Sequence, residues 1–202
     1  HFFQRPDADY VSVDPTRTSL NGYGGNVQAG KVGGHWKFTA FSYFKSPGFD
    51  LNDLGYLQNA DAILTGLWSA YEFDKPFSIF RRIRPNANIW TGWDFGGTHL
   101  FTGGNLNVYS EFKNLWWTSI GANYEGNALS NTILRGGPSM LYPSHLNWFL
   151  NVGSNQSKMI YFSFWYNGGK GGDEASEQSS AGFNLTAKPG QYQGIIGKWH
   201  AG

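Results

Sequence analysis

Hydrophobicity in this chain changes with a period of two, in segments of about ten residues, and turn residues recur every ten to fifteen positions. That rhythm is the strongest constraint on the fold, because a two-residue period puts successive side chains on opposite sides of a strand. Leu106, Val108, Ser110 and Phe112 alternate with Asn105, Asn107, Tyr109 and Glu111. Trp116, Thr118, Ile120, Ala122 and Tyr124 alternate with Trp117, Ser119, Gly121, Asn123 and Glu125, and Leu146 to Val152 repeats the pattern. Ile63–Phe73, Ser78–Asp94, Lys158–Asn167 and a last hairpin about Pro189-Gly190 complete an expectation of about eleven strands. Pro85 falls inside one of them and predicts a bulge or an edge, since proline cannot donate to a ladder.

No run of about 18 apolar residues exists, so a transmembrane helix is excluded. A closed antiparallel barrel is not, because strands of about 9–11 residues span a bilayer with alternate positions facing a polar lumen. Composition favours that solution. Aromatic residues reach 18% and charged residues only 14%, against about 25% charged in ordinary soluble domains. The fold class expected is therefore all-β, an antiparallel transmembrane β-barrel or a fragment of one, in a single domain over residues 1–202. The chain opens on His1 with no signal peptide, inside a patterned region, and reads as a fragment.

Connections fall into short turns and longer loops at 45–61, 126–131 and 168–178. With the strands counted this way, 168–178 lands at the short-turn end, in conflict with the usual barrel asymmetry. Tryptophans near strand ends (Trp90, Trp93, Trp116, Trp117 and Trp165) predict an interfacial girdle.

Several stretches carry a resemblance: Gln4-Arg5-Pro6-Asp7-Ala8-Asp9, the run from Lys45 to Leu57 with Ala60-Asp61, Leu134-Arg135-Gly136-Gly137-Pro138, and Ser154-Asn155-Gln156-Ser157-Lys158. In this order they resemble the C-terminal domain of a large family of bacterial envelope proteins. Those proteins carry an N-terminal sandwich like a family 9 carbohydrate-binding module, followed by a membrane-type β-barrel domain of unknown function. The sandwich is absent from this sequence, and Asn155 stands where the pattern usually has aspartate. The resemblance implies an outer-membrane location and no known activity.

Asp50, Asn52, Asp53, Asn59 and Asp61 crowd one loop. Their oxygens could hold calcium, at Asp50 and Asp53 above all, or simply make Asx turns. Asp50, Asn52, Asp53, Asp61 and Arg135 are the candidate binding residues. Arg81, Arg82 and Arg84 form a basic run on a strand, which either lines a polar lumen and steers anions or snorkels at an interface. No catalytic constellation is legible: cysteine is absent, the five histidines lack metal-ligand spacing, and no nucleophile elbow occurs. No cofactor is implied. The net charge of +1 with no basic stripe gives nucleic acid no footing. The reading is a non-enzymatic wall protein of a Gram-negative outer membrane serving as pore, anchor or scaffold, with the bilayer as partner and other envelope proteins or a surface glycan as further candidates. The alternative is a soluble carbohydrate-binding β-domain that stacks sugars on Trp116 and Trp117.

Overall fold

A computed structural model describes residues 5–12, 14, 16–51, 55, 57, 59–134, 136–172 and 176–188, and the backbone of 194–201. The described residues contain no helix. Ten strands form one antiparallel sheet in chain order: β1 (Gly24–Lys31), β2 (Trp36–Lys45), β3 (Ala62–Tyr71), β4 (Phe80–Trp93), β5 (His99–Phe112), β6 (Trp117–Glu125), β9 (His145–Gly153), β10 (Ile160–Gly171), β11 (Glu177–Ala187) and β12 (Gly194–Ala201). The remaining two, β7 (Ala128–Ser130) and β8 (Met140–Tyr142), pair only with each other. β1 and β12 are the edges, and among the described residues no ladder joins them.

The separate hairpin removes the conflict over loop classes. Residues 126–144 are one connection, so the strand count loses its extra member and every later strand changes direction. Both connections longer than ten residues, 46–61 and 126–144, now leave the same end of the sheet. The expected loop at 168–178 is corrected as well. β10 runs on to Gly171 and β11 begins at Glu177, because the glycines are paired strand residues: Gly168 faces Trp148 and Gly169 faces Asn147.

Register sorts the side chains onto two unlike faces. Val27, Leu67, Ile89, Leu106, Ile120, Trp148, Phe164 and Phe183 share one face and are all exposed. The other face carries Asn86, Asn88, Asn105, Asn107, Asn123, Asn147, Asn151, Asn167 and Asn184. Nothing among the described residues covers the apolar face. The buried apolar residues among those described are Ala8, Ala70, Leu100 and Ala128, and the accessible surface is 13030 Å². A water-soluble monomer of 22.5 kDa would expose about 9,500 Å². The one other sheet among the described residues is the two-stranded β7–β8 pair, too small to build a sandwich core.

Pro85 sits in an interior strand, opposite Val108. On the side toward β3 the pairing is interrupted at Pro85: the ladder stops at Asn86 and resumes at the Phe73–Ile83 bridge, so the missing N–H falls in the gap. The abundance of glycine has a related local cause. Phe41 lies over Gly66, Trp90 over Gly103, Phe149 over Gly121, Trp117 over Gly153 and Trp165 over Gly182, each a directly opposed cross-strand pair. A ring laid flat across the neighbouring strand needs a position without Cβ. The pair shields backbone that glycine alone would leave open.

Candidate functional site at the polar face and its mouth

The middle of the polar face is a hydrogen-bonded amide ladder. Asn88 Nδ2 donates to Asn105 Oδ1 at 2.6 Å, while Asn107 Nδ2 donates to Asn105 Oδ1 at 2.9 Å and to Asn86 Oδ1 at 3.1 Å. Toward the short-turn end the face becomes charged. Lys37 Nζ lies 2.8 Å and Arg84 Nη1 3.8 Å from the Glu72 carboxylate, and Glu111 takes Arg81 and Arg82. Strict alternation would turn Arg81 away from Arg82. The register shift between Phe80 and Arg82 lets both reach one carboxylate. Lys37, Arg81, Arg82 and Arg84 thus share two glutamates, which leaves a cationic excess there.

At the opposite end, the β7–β8 hairpin lies across the mouth of the polar face. Ser130 and Thr132 bound a cavity of about 530 Å³ together with Tyr43 and Lys45 from β2 and Glu125 from β6. The N-terminal segment closes the same end. Arg5, whose side chain is 2% exposed, donates to Asp61 Oδ2 at 2.9 Å and to Asp94 Oδ2 at 3.2 Å. Tyr10 Oη donates to Asp61 Oδ2 at 2.6 Å. Asp61 Oδ1 accepts from the Phe95 amide and Asp94 Oδ1 from the Thr98 amide. Asp7 accepts from the Ser139 amide, tying the segment to the hairpin connection.

The backbone helps to aim this cluster, for Asp61 sits at φ 55°, in the left-handed region that aspartate tolerates better than most residues. Burial works to lower the Arg5 pKa, but hydrogen bonds to Tyr10 and Asp61 outweigh it and the guanidinium is held more firmly charged. Burial, then the bond to Asp61, pushes the Tyr10 phenol well above its usual value. A group raised on folding adds stability that is complete below its unfolded pKa, about 10, and fades as pH climbs through the higher folded value. The N-terminal segment should therefore stay docked up to about pH 10 and detach in stronger alkali. Phenolate absorbance, read against Tyr10→Phe, checks this; ionisation of Tyr10 at the ordinary tyrosine pKa would contradict it.

The residues singled out from sequence divide as follows. Asp61 is not a ligand-facing group, since its carboxylate is spent on Arg5, Tyr10 and a backbone amide. Asp50 is exposed; Asn52, Asp53 and Arg135 lie outside the described residues, and with them the calcium reading. Among the described residues no group of three His, Cys, Asp or Glu gathers to hold a metal ion.

The tryptophan girdle is corrected in part. Trp90, Trp117 and Trp165 lie on the polar face over glycines, because register pairs them there, and Trp90 Nε1 donates to Glu125 at 3.2 Å. Trp93 and Trp116 stay at strand ends; Trp116 meets Phe162 edge to face. Trp116 and Trp117 belong to opposite faces and make no common platform for a sugar. An aromatic band does run along the short-turn end of the apolar face, through Tyr71, Phe73, Phe77, Phe80 and Phe112 in successive ring contacts. Sequence reading missed it because the band joins three segments, with Phe77 in the connection between β3 and β4, and no local pattern shows that they meet. It missed Arg5 and Asp94 because their partnership spans 89 positions.

A family model described as a domain of unknown function (DUF5916) matches residues 3–189. No curated protein and no solved structure matches the chain.

Proposed function

The chain belongs to the DUF5916 family, and on that premise we propose that it is a length of outer-membrane β-barrel wall whose polar face lines a water-filled passage. One observation carries the reading: a ten-stranded sheet presents an uncovered apolar face backed by a hydrogen-bonded amide face. Hydrocarbon suits the first and water the second. In lipid every backbone N–H and C=O must be paired within the protein, which a closed sheet achieves. The edges β1 and β12 then meet each other or further strands.

Dimensions support the assignment. The ten-residue β3 is roughly 33 Å long, or about 25 Å tall at a tilt of ~40°, the height of an outer-membrane apolar belt. The aromatic band sits where one headgroup level would fall. The two longest connections, 46–61 and 126–144, share the other end, as on the outer side of such barrels.

The passage is a pore for small solutes, and its cationic stretch gives it a preference for anions. Purified protein reconstituted into a planar bilayer should show discrete conductance with anions favoured, and Arg82→Gln with Arg84→Gln should shift the reversal potential toward cations. Inserted, folded protein that passes no current would overturn the pore and leave an anchor or scaffold. A chain that stays monodisperse without detergent and binds glycans would overturn the membrane assignment.

A further inference from the structure

We infer that the cavity beneath the β7–β8 hairpin is a binding site for a short zwitterionic peptide with free termini. The inference deepens the pore reading and rests on it for access to the site, though not for binding. Two half-buried charges line this cavity without counter-ions among the described residues. Among the described residues Lys45 Nζ donates to the Asn59 carbonyl and side-chain oxygens, at 3.4 and 3.1 Å. Glu125 accepts from the Trp90 indole and makes no ion pair among the described residues. A partly desolvated ammonium and carboxylate in one cavity are each one partner short, and a ligand with both charges supplies both.

The spacing selects the class. Lys45 ends β2 and Glu125 ends β6, and β3, β4 and β5 lie between them. Four steps of about 4.8 Å put their backbones up to roughly 19 Å apart along the sheet. Both side chains reach inward and shorten the gap, yet the adjacent charges of a single amino acid are too close together to span it. An extended chain of two to four residues has its termini at a suitable separation. The volume of about 530 Å³ lies within the range for ligands of that size. Asn131 and Thr132 on the hairpin side offer partners for peptide amides, and Leu64 and Phe101 offer apolar contact on the sheet side.

The test uses purified full-length chain in detergent, with calorimetry of trialanine, N-acetyl-trialanine, trialanine amide and maltotriose. Free trialanine should bind, and each cap should weaken binding about tenfold or more, the usual worth of one hydrogen bond to a charged group. Lys45→Gln should abolish the penalty for amidation and keep that for acetylation; Glu125→Gln should do the reverse. Unchanged far-ultraviolet dichroism and heat-shifted mobility would certify that both variants fold. Equal binding of capped and free peptide, better binding of maltotriose, or no binding by folded wild type would each overturn the site. Conductance without peptide discrimination sinks this inference alone, whereas peptide binding without conductance sinks the pore alone.

Discussion

Arg5→Ala is expected to destabilise the protein by about 3–5 kcal/mol, the cost of leaving buried charge unpaired. Asp61 and Asp94 are 1% and 3% exposed at the side chain. Each has one oxygen on a backbone amide and the other on Arg5. Without the guanidinium, two carboxylates face each other in a site with little water. The structure must then take up protons or open the mouth. Arg5→Lys should recover only part of the loss, because an ammonium cannot reproduce the planar fork that serves two carboxylates at once. The effect is local in origin, so proteolysis should cut the variant first in the N-terminal segment, with the strand ladders still protected. Denaturant midpoints and timed proteolysis give the two readings. A loss below about 1 kcal/mol would mean that the cluster is solvated.

Leu106→Arg is expected to cost about 2–4 kcal/mol of folding free energy in lipid vesicles, as measured for cationic side chains at the midplane of a barrel wall. Leu106 is 69% exposed at the centre of β5. In a water-soluble protein such a substitution would stay within about 0.5 kcal/mol, so exposure and cost point in opposite directions here. Asn123→Arg, at similar height on the opposite face of β6, should change stability by less than about 1 kcal/mol in the same vesicles. The contrast between the two variants is the informative quantity, since each adds the same charge.

Much of the sheet was legible from sequence because alternation is a local signal. Leu106 to Phe112, Trp116 to Glu125 and Leu146 to Val152 each sort correctly onto two faces from their own residues alone. Direction along the chain was not local. One extra strand counted between 128 and 146 reversed the apparent sense of everything after it, because short strands such as β7 and β8 look the same in sequence whether they join the main sheet or fold over it. Glycine roles depended on register for a similar reason. Gly103 and Gly182 acquire a role only when Trp90 and Trp165 are set opposite them. The mouth cluster was the least legible. Arg5-Pro6-Asp7 and Ala60-Asp61 were visible as motifs, but nothing in either says that they meet across 56 positions, and Asp94 carried no signal at all.

The reading of this sheet as a membrane wall depends on which solvent each face meets. The chain has no cysteine, so single cysteines placed at Leu67, Ile89, Leu106 and Ile120 on one face, and at Asn88, Asn123 and Asn147 on the other, report cleanly in vesicles. The leucine and isoleucine positions should resist a water-soluble thiol reagent and, once labelled in denaturant and refolded, be quenched by a lipid-tail nitroxide, while the asparagine positions react freely in the folded state. Ready aqueous labelling of the first set, with no lipid-phase quenching, would contradict the account.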